Sequence, residues 1–209
     1  AAFGRYFTSS PAWMLAHVIL QGAKEIHIYG IHLATEHEYI EQRDARRRTA
    51  LLAATQGNHE AVALELIARG ADVNAQDDQQ DSAFLLAGAR GYTNILRATL
   101  VAGANLKSTN RYGGTALIPA CHYGHVETVR VLLGTAIDVN HVNNLGWTAL
   151  LEAVILGDGG PAHTEIVRLL IAARANVNLA DRQGVTPLQH AVQRNQATVA
   201  ALLRAAGAR

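Results

Sequence analysis

The feature that most constrains the fold of this chain is a repeat with a period of 33 residues. A short segment that begins with threonine or serine and continues into small and apolar residues occurs five times. The residues that open the segments are separated by 33, 33, 33 and 38 positions; they are Thr49, Ser82, Thr115, Thr148 and Thr186. Self-similarity at such a period indicates stacked repeats, in which no single unit can bury its own apolar faces.

Each copy predicts a pair of helices. The opening threonine or serine can cap the first helix by accepting a backbone N–H. Glycines such as Gly91 and Gly124 follow the first helix, where a left-handed backbone conformation costs glycine little. A second segment carries leucine and valine at helical spacing. A polar turn then leads into the next copy.

The copies resemble ankyrin repeats. The matching residues are Thr-Ala-Leu or Thr-Pro-Leu at each first helix, "GHVETVRVLL" from Gly124 and "GADVN" from Gly70. The resemblance covers about residues 44–209 and implies a mainly α fold, an ankyrin-repeat solenoid of five helix-turn-helix units with projecting fingers. The expected repeats, numbered one to five below, are 44–76, 77–109, 110–142, 143–180 and 181–209. Repeats three and four also resemble a bacterial subgroup of ankyrin proteins, many of which are exported.

The resemblance also implies a function, which is to bind another protein through the concave face and the fingers of the array. Carried over position by position, the predicted contact residues are Asp78, Gln80, Arg90, Arg111, Tyr112, Tyr123, Asn144, Trp147, Ile155, Leu156 and Arg182. An apolar run across repeats three and four, from Tyr112 to Leu156, is the expected centre of contact. For Trp147, packing against the neighbouring finger is an equally open role.

Residues 1–43 do not follow the repeat. Ser10 to Gly22 predicts a helix, Lys24 to Leu33 a buried parallel strand, and Thr35 with Glu38 a capping box that opens another helix. This helix-strand-helix segment resembles a nucleotide-fold fragment of phage-type proteins. Three origins stay open: a fusion remnant, a segment added for expression, or a strand at 24–33 that self-associates with another chain. The alternative function is therefore a nucleotide-binding or enzymatic fragment in residues 1–43, with the array as a targeting module.

The remaining composition predicts no catalytic, cofactor-binding or metal-binding residues. A net charge of +1 gives no general attraction to nucleic acid or membranes. The single cysteine, Cys121, excludes an internal disulfide and predicts an inert buried thiol. His27 and His32, five positions apart in one predicted strand, are expected on opposite faces, and His125 and His190 are expected to bond loop backbone. No apolar run reaches the ~20 residues that span a bilayer. The sequence therefore predicts a soluble protein of the cytoplasm or periplasm.

Overall fold

The structure, a computed structural model, describes residues 27–28, 31–32, 44 and 46–209. The helices predicted from Ser10 and from Thr35 lie outside the described residues, as does most of the nucleotide-fold resemblance in residues 1–43.

Within the predicted single strand over residues 24–33, the described residues form two short paired strands. Strands β1 (His27–Ile28) and β2 (Ile31–His32) pair in antiparallel orientation. Gly30 separates them in the sequence, and glycine is favoured in two-residue hairpin loops. His27 and His32 are consequently register partners across the hairpin, and the expectation that they lie on opposite faces of one strand is wrong.

Within residues 44 and 46–209, each repeat contributes two helices, which confirms the mainly α fold. They are α1 (Ala50–Gln56), α2 (Glu60–Ala68), α3 (Ala83–Arg90), α4 (Thr93–Val101), α5 (Leu117–His122), α6 (Val126–Leu133), α7 (Ala149–Ile155), α8 (Pro161–Ala172), α9 (Pro187–Gln193) and α10 (Ala197–Ala205). In repeats three to five the first helices pack in the order α5, α7, α9, and the second helices in the order α6, α8, α10. The repeats therefore form two helical layers there.

The chain divides into two compact units, each with its own core. The first contains residues 1–86 and 94–104, and the second contains residues 87–93 and 105–209. In the described part of the first unit the largest fully buried side chains are Leu51, Leu52, Leu66, Phe84, Ile95 and Leu96; in the second they are Leu117, Leu132, Leu150, Leu151, Ile166 and Leu170. Burying one such side chain contributes about 1.5–3 kcal/mol, so the stacked apolar faces supply much of the stability.

Four of the five predicted helix caps are present. Thr49, Ser82, Thr148 and Thr186 each accept a backbone N–H from the residue three positions later, at 3.1–3.3 Å. The predicted helix ends at Gly91 and Gly124 are also confirmed, since both residues have positive φ angles, of 73° and 77°. These local signals depend on a few adjacent residues, so the sequence reports them well.

The fifth predicted cap, Thr115, makes no such bond, and Pro119 explains why. In the other repeats the carbonyl of the capping residue accepts the N–H four positions later, as Thr148 does from Glu152 at 2.9 Å. Proline has no N–H, so the carbonyl of Thr115 accepts from Ile118 instead, at 3.2 Å. The hydroxyl of Thr115 is consequently buried, and no group in the described part of the chain forms a hydrogen bond with it.

Every finger is closed by the same side-chain turn. An aspartate or asparagine oxygen accepts the N–H groups two and four positions later, at 2.8–3.1 Å. The residues that do so are Asp44, Asp77, Asn110, Asn143 and Asp181. Such turns are intrinsic to these two residue types, which can bond their own backbone two residues on.

The five extra residues of repeat four lie around the start of its second helix. The sequence predicts a loop over Asp158 to Pro161, but Pro161 is the first residue of α8, where a missing N–H is tolerated. Helix α8 has 12 residues, compared with 8 in α6, so part of the insertion lengthens a helix. His163 is the equivalent in repeat four of His125 in repeat three. Its Nε2 lies 2.9 Å from the carbonyl oxygen of His122 in repeat three.

Candidate functional site

The finger tips of repeats three and four present adjacent apolar side chains. Tyr112 is 54% exposed, and Leu145, which stands 33 positions later, is 50% exposed. The N–H of Asn144 donates to the carbonyl of Tyr112 at 2.9 Å, so the two tips are neighbours. The guanidinium of Arg111 lies 4.7 Å from the ring centre of Tyr112, within the range of a cation–π contact. We call Tyr112 and Leu145 the tip pair.

Leu145 was missed by the sequence prediction. The repeat itself carried the signal, because position 145 is the equivalent of position 112.

Two other predicted contact residues pack along the fingers. A Cβ atom added to Gly113 would come within 2.5 Å of Oδ1 of Asn144, and one added to Gly146 within 2.5 Å of Cγ of Arg182. Both glycines also have positive φ angles. Asn144 and Arg182 each lie against the backbone of the preceding finger, while both remain exposed. Glycine at these positions therefore allows successive fingers to approach closely.

The ends of the first helices provide a second apolar pair. Tyr123 is 59% exposed and Leu156, its equivalent in repeat four, is 41% exposed. The ring of Tyr123 stacks on that of His122, with centroids 4.2 Å apart. We call Tyr123 and Leu156 the helix-end pair. Arg90 occupies the same slot in repeat two and is also exposed.

Ile155 was predicted as part of the exposed run, and this is wrong. It is only 6% exposed and belongs to the core. It follows Leu151 by four positions on α7, and residues at this spacing share one face of a helix. Trp147 is half-buried, with its backbone engaged by Asn143 in the finger turn. A half-buried side chain is compatible both with packing against the neighbouring finger and with contact to a partner.

The last two predicted contact residues lie in the first compact unit. Asp78 and Gln80 are exposed in the finger of repeat two, and Gln80 has a positive φ angle of 59°. The other predicted residues lie in the second compact unit.

Between the tip pair and the helix-end pair lies a buried carboxyl group that the sequence prediction missed. Glu152 on α7 is 7% exposed, and its Oε1 accepts a 2.9 Å hydrogen bond from Nδ2 of Asn143. Nδ1 of His122 approaches Oε2 to 3.7 Å, which is too far for a hydrogen bond. The cluster therefore joins the base of finger four, α7 and the end of α5.

The protonation of this cluster is governed by burial. Burial raises the pKa of Glu152 from 4.5 to about 7, and the hydrogen bond from Asn143 opposes the rise. Burial, with a smaller effect from His163, lowers the pKa of His122. Both shifts are opposite to those of an ion pair, so the 3.7 Å approach is not a stable salt bridge. A buried carboxyl group whose pKa is raised toward neutrality is a candidate for function.

The other histidines have structural partners. Burial lowers the pKa of His125, and a hydrogen bond to the backbone of Ala89 opposes this, which confirms the predicted backbone contact. His190 was expected to bond backbone, but its Nε2 lies 2.8 Å from a carboxylate oxygen of Asp181. Within residues 44 and 46–209 no three histidine, cysteine, aspartate or glutamate side chains are grouped so as to hold a metal ion.

The predicted burial of the Cys121 thiol is confirmed. It is fully buried, and burial together with the charge of Glu152 raises its pKa well above the usual value. None of the described helices is long and apolar enough to cross a membrane.

Comparison with known proteins identifies the repeats. Family models match residues 46–78 as an ankyrin repeat, residues 84–160 as three ankyrin repeats, and residues 161–204 as ankyrin repeats in many copies. No functionally curated protein gave a significant match. These matches give no support to the nucleotide-fold resemblance of residues 1–43.

Solved structures agree with the family models. An ankyrin repeat domain from Acinetobacter baumannii AYE is 54% identical, with a TM-score of 0.85; the match covers 95% of this chain and 98% of that one. The ankyrin repeat protein EF0377 is 38% identical, with a TM-score of 0.77, over 79% of this chain and 84% of that one. With both the repeats and the fold matched over most of its length, this chain belongs to the ankyrin repeat family.

Proposed function

We propose that this chain is a non-catalytic scaffold that binds a partner protein through the fingers and first helices of repeats three and four. Ankyrin repeats commonly serve as protein-binding modules, and the proposal assigns that role to a particular surface of this chain.

The observation that carries the proposal is the distribution of exposed apolar side chains. In the described residues, seven large apolar side chains are exposed: Val101, Tyr112, Tyr123, Val142, Leu145, Leu156 and Val192. Five of these seven lie between residues 112 and 156, which places the concentration in repeats three and four. Exposed apolar groups that cluster in this way mark interaction surfaces, because water contact costs roughly 25 cal/mol per Å².

The surroundings of these residues suit an interface. Tyrosine and arginine contribute much of the binding energy at many interfaces, and here Arg111 lies over the ring of Tyr112. Asn144 and Arg182 add polar groups on adjacent fingers. Apolar centres with a polar rim are the usual composition of a protein interface.

The proposal is tested by capturing binding proteins on the immobilised chain and on matched variants of it. The full chain is immobilised as wild type, as Tyr112→Ser/Leu145→Ser, and as Val101→Ser. Val101 is 91% exposed and lies outside the proposed surface, so its variant controls for the loss of any exposed apolar group. We expect a specific protein to be retained by the wild type and by Val101→Ser, and its affinity for the double variant to fall at least tenfold.

Two results would contradict the proposal. One is a partner bound with equal affinity by all three forms. The other is a partner lost from Val101→Ser but kept by the double variant. Circular dichroism of each form verifies that the repeats remain folded, which is expected because all three side chains are exposed.

A further inference from the structure

The carboxylate of Glu152 has an unused hydrogen-bond acceptor. Its Oε1 is occupied by Nδ2 of Asn143, but Oε2 accepts no hydrogen bond from residues 44 and 46–209. The side chain is 9% exposed, so solvent or a slender ligand group can reach it. A carboxylate oxygen has two acceptor positions, so Oε2 can accept a hydrogen bond from a donor that a ligand supplies.

The repeat does not require an acid at this position. The equivalent residues in the other four repeats are Ala53, Leu86, Pro119 and His190. Only His190 is also polar, and its Nε2 lies 2.8 Å from a carboxylate oxygen of Asp181 in its own finger. Like His190 with Asp181, Glu152 bonds a residue of its own finger, but it is the one acid among the five equivalent positions.

The groups around Glu152 leave its charge without compensation. Asn143 from the finger is neutral, and so is Cys121 from α5, whose pKa is raised. His122, also from α5, has a lowered pKa and is neutral above its ordinary titration range. Burial raises the pKa of Glu152, and none of these three neighbouring groups supplies a positive charge that would oppose the rise. A cation from outside would supply that charge.

The neighbouring side chains suit a long cationic group. Tyr123 is exposed beside His122, with its ring stacked on the imidazole. The face of a tyrosine ring attracts a guanidinium or ammonium group and packs against its methylene chain. Because so little of Glu152 is exposed, only a slender side chain fits.

We propose that Glu152 is the recognition point for a lysine or arginine side chain of the bound partner protein, which enters beside Tyr123 and donates to Oε2. This inference rests on the proposed function, because it names the chemistry of the partner at the same surface.

The first test uses a defined probe and needs no partner. The labelled full chain is titrated at pH 7.5 and constant ionic strength with N-acetyl-arginine methylamide, and separately with the neutral citrulline analogue. We expect saturable shifts of the Glu152 carboxyl carbon and the Tyr123 ring with the arginine compound, and at least tenfold weaker binding of the citrulline compound.

Two variants make the test specific. Glu152→Gln keeps an Oε1 acceptor for Asn143 but removes the charge, and it should abolish the response. Asp138→Asn removes an exposed carboxylate whose Oδ1 only accepts the N–H of Asn140, and it should leave the response unchanged. Equal responses to the two probes, no saturable response, or an unaltered response of Glu152→Gln would overturn the inference.

The second test separates this inference from the proposed function. A partner identified by capture is measured against Glu152→Gln and against Tyr112→Ser/Leu145→Ser. We expect both variants to bind at least tenfold more weakly. If the double variant loses the partner and Glu152→Gln does not, the proposed function stands and the basic anchor is wrong. If neither variant loses it, the proposed surface is wrong as well.

Discussion

At the scale of single residues, Glu152 is the most consequential feature, and its environment predicts a dependence of stability on pH. Its pKa is about 7 when folded and 4.5 ordinarily, so between these values the folded chain binds more protons than the unfolded chain. A carboxyl group whose pKa is raised on folding therefore lowers the free energy of unfolding as pH rises from 4.5 to 7.

We expect Glu152→Gln to be more stable than the wild type above pH 7, because glutamine carries no charge to bury. The difference should be small at pH 5 and grow to as much as about 3 kcal/mol at pH 8. Urea denaturation of both forms across this range measures it. The lowered pKa of His122 acts in the opposite direction, so the difference between the two forms is the informative quantity. A constant difference at every pH would show that burial does not perturb Glu152.

A second prediction at this scale concerns the amide that holds Glu152. Oδ1 of Asn143 accepts two turn N–H groups, which leaves Nδ2 to face the carboxyl group. In Asn143→Asp a carboxylate oxygen would replace that donor, 2.9 Å from Oε1. We expect a loss of stability on the order of 2 kcal/mol at pH 8 and a smaller one at pH 5, where a proton can bridge the pair.

The matched control is Asn110→Asp. Asn110 makes the same two turn bonds, but Pro119 stands where repeat four has Glu152, so no carboxylate opposes it. Repeats one, two and five already have aspartate at this position. If Asn110→Asp destabilises the chain as much as Asn143→Asp, the pairing with Glu152 is not the cause.

At the scale of secondary structure elements, most repeat features depend on local residues and were open to prediction. Helix starts, glycine ends and the two-helix pattern follow from caps and spacing over a few positions. The predictions were wrong or incomplete where contacts between residues distant in the sequence determine burial. Ile155 and Leu156 differ in burial because of how α7 faces the core, and Glu152 is buried close to His122, which stands 30 positions earlier in the sequence. No spacing pattern in a single copy reports either fact.

Thr115 before α5 and Thr148 before α7 form a matched pair for testing the contribution of a helix cap. Thr115 and Thr148 are equally buried, each at 2% exposure, but only Thr148 caps its helix with its hydroxyl. We expect Thr148→Ala to cost about 1 kcal/mol more than Thr115→Ala, since both lose a methyl group and only the first loses a cap. Equal losses in thermal or urea unfolding would mean that the hydroxyl of Thr148 adds nothing.

At the scale of the whole molecule, repeat one has the same kind of finger turn and helix cap as repeats two, four and five, and both are formed by residues from 44 onward. Asp44 closes the first finger through the N–H groups of Arg46 and Arg48, and Thr49 caps α1. The side chain of Arg48 adds a 2.8 Å bond to Asp44 and a 2.7 Å bond to Gln56. Repeat one thus stabilises its own finger within the described residues.

The last prediction follows from this closure. We expect the chain of residues 44–209 to unfold cooperatively without residues 1–43, because stacked repeats draw their stability from neighbouring interfaces. Thermal unfolding followed by circular dichroism compares it with the full chain. Asp44→Ala in the shortened chain removes the acceptor of both turn N–H groups and should lower its melting temperature, while Asp138→Ala, which affects an exposed aspartate in repeat three, should have a smaller effect. A broad, non-cooperative transition in the shortened chain would show instead that residues 1–43 cap the array. An unchanged melting temperature in Asp44→Ala would show that the finger turn of repeat one does not stabilise the shortened chain.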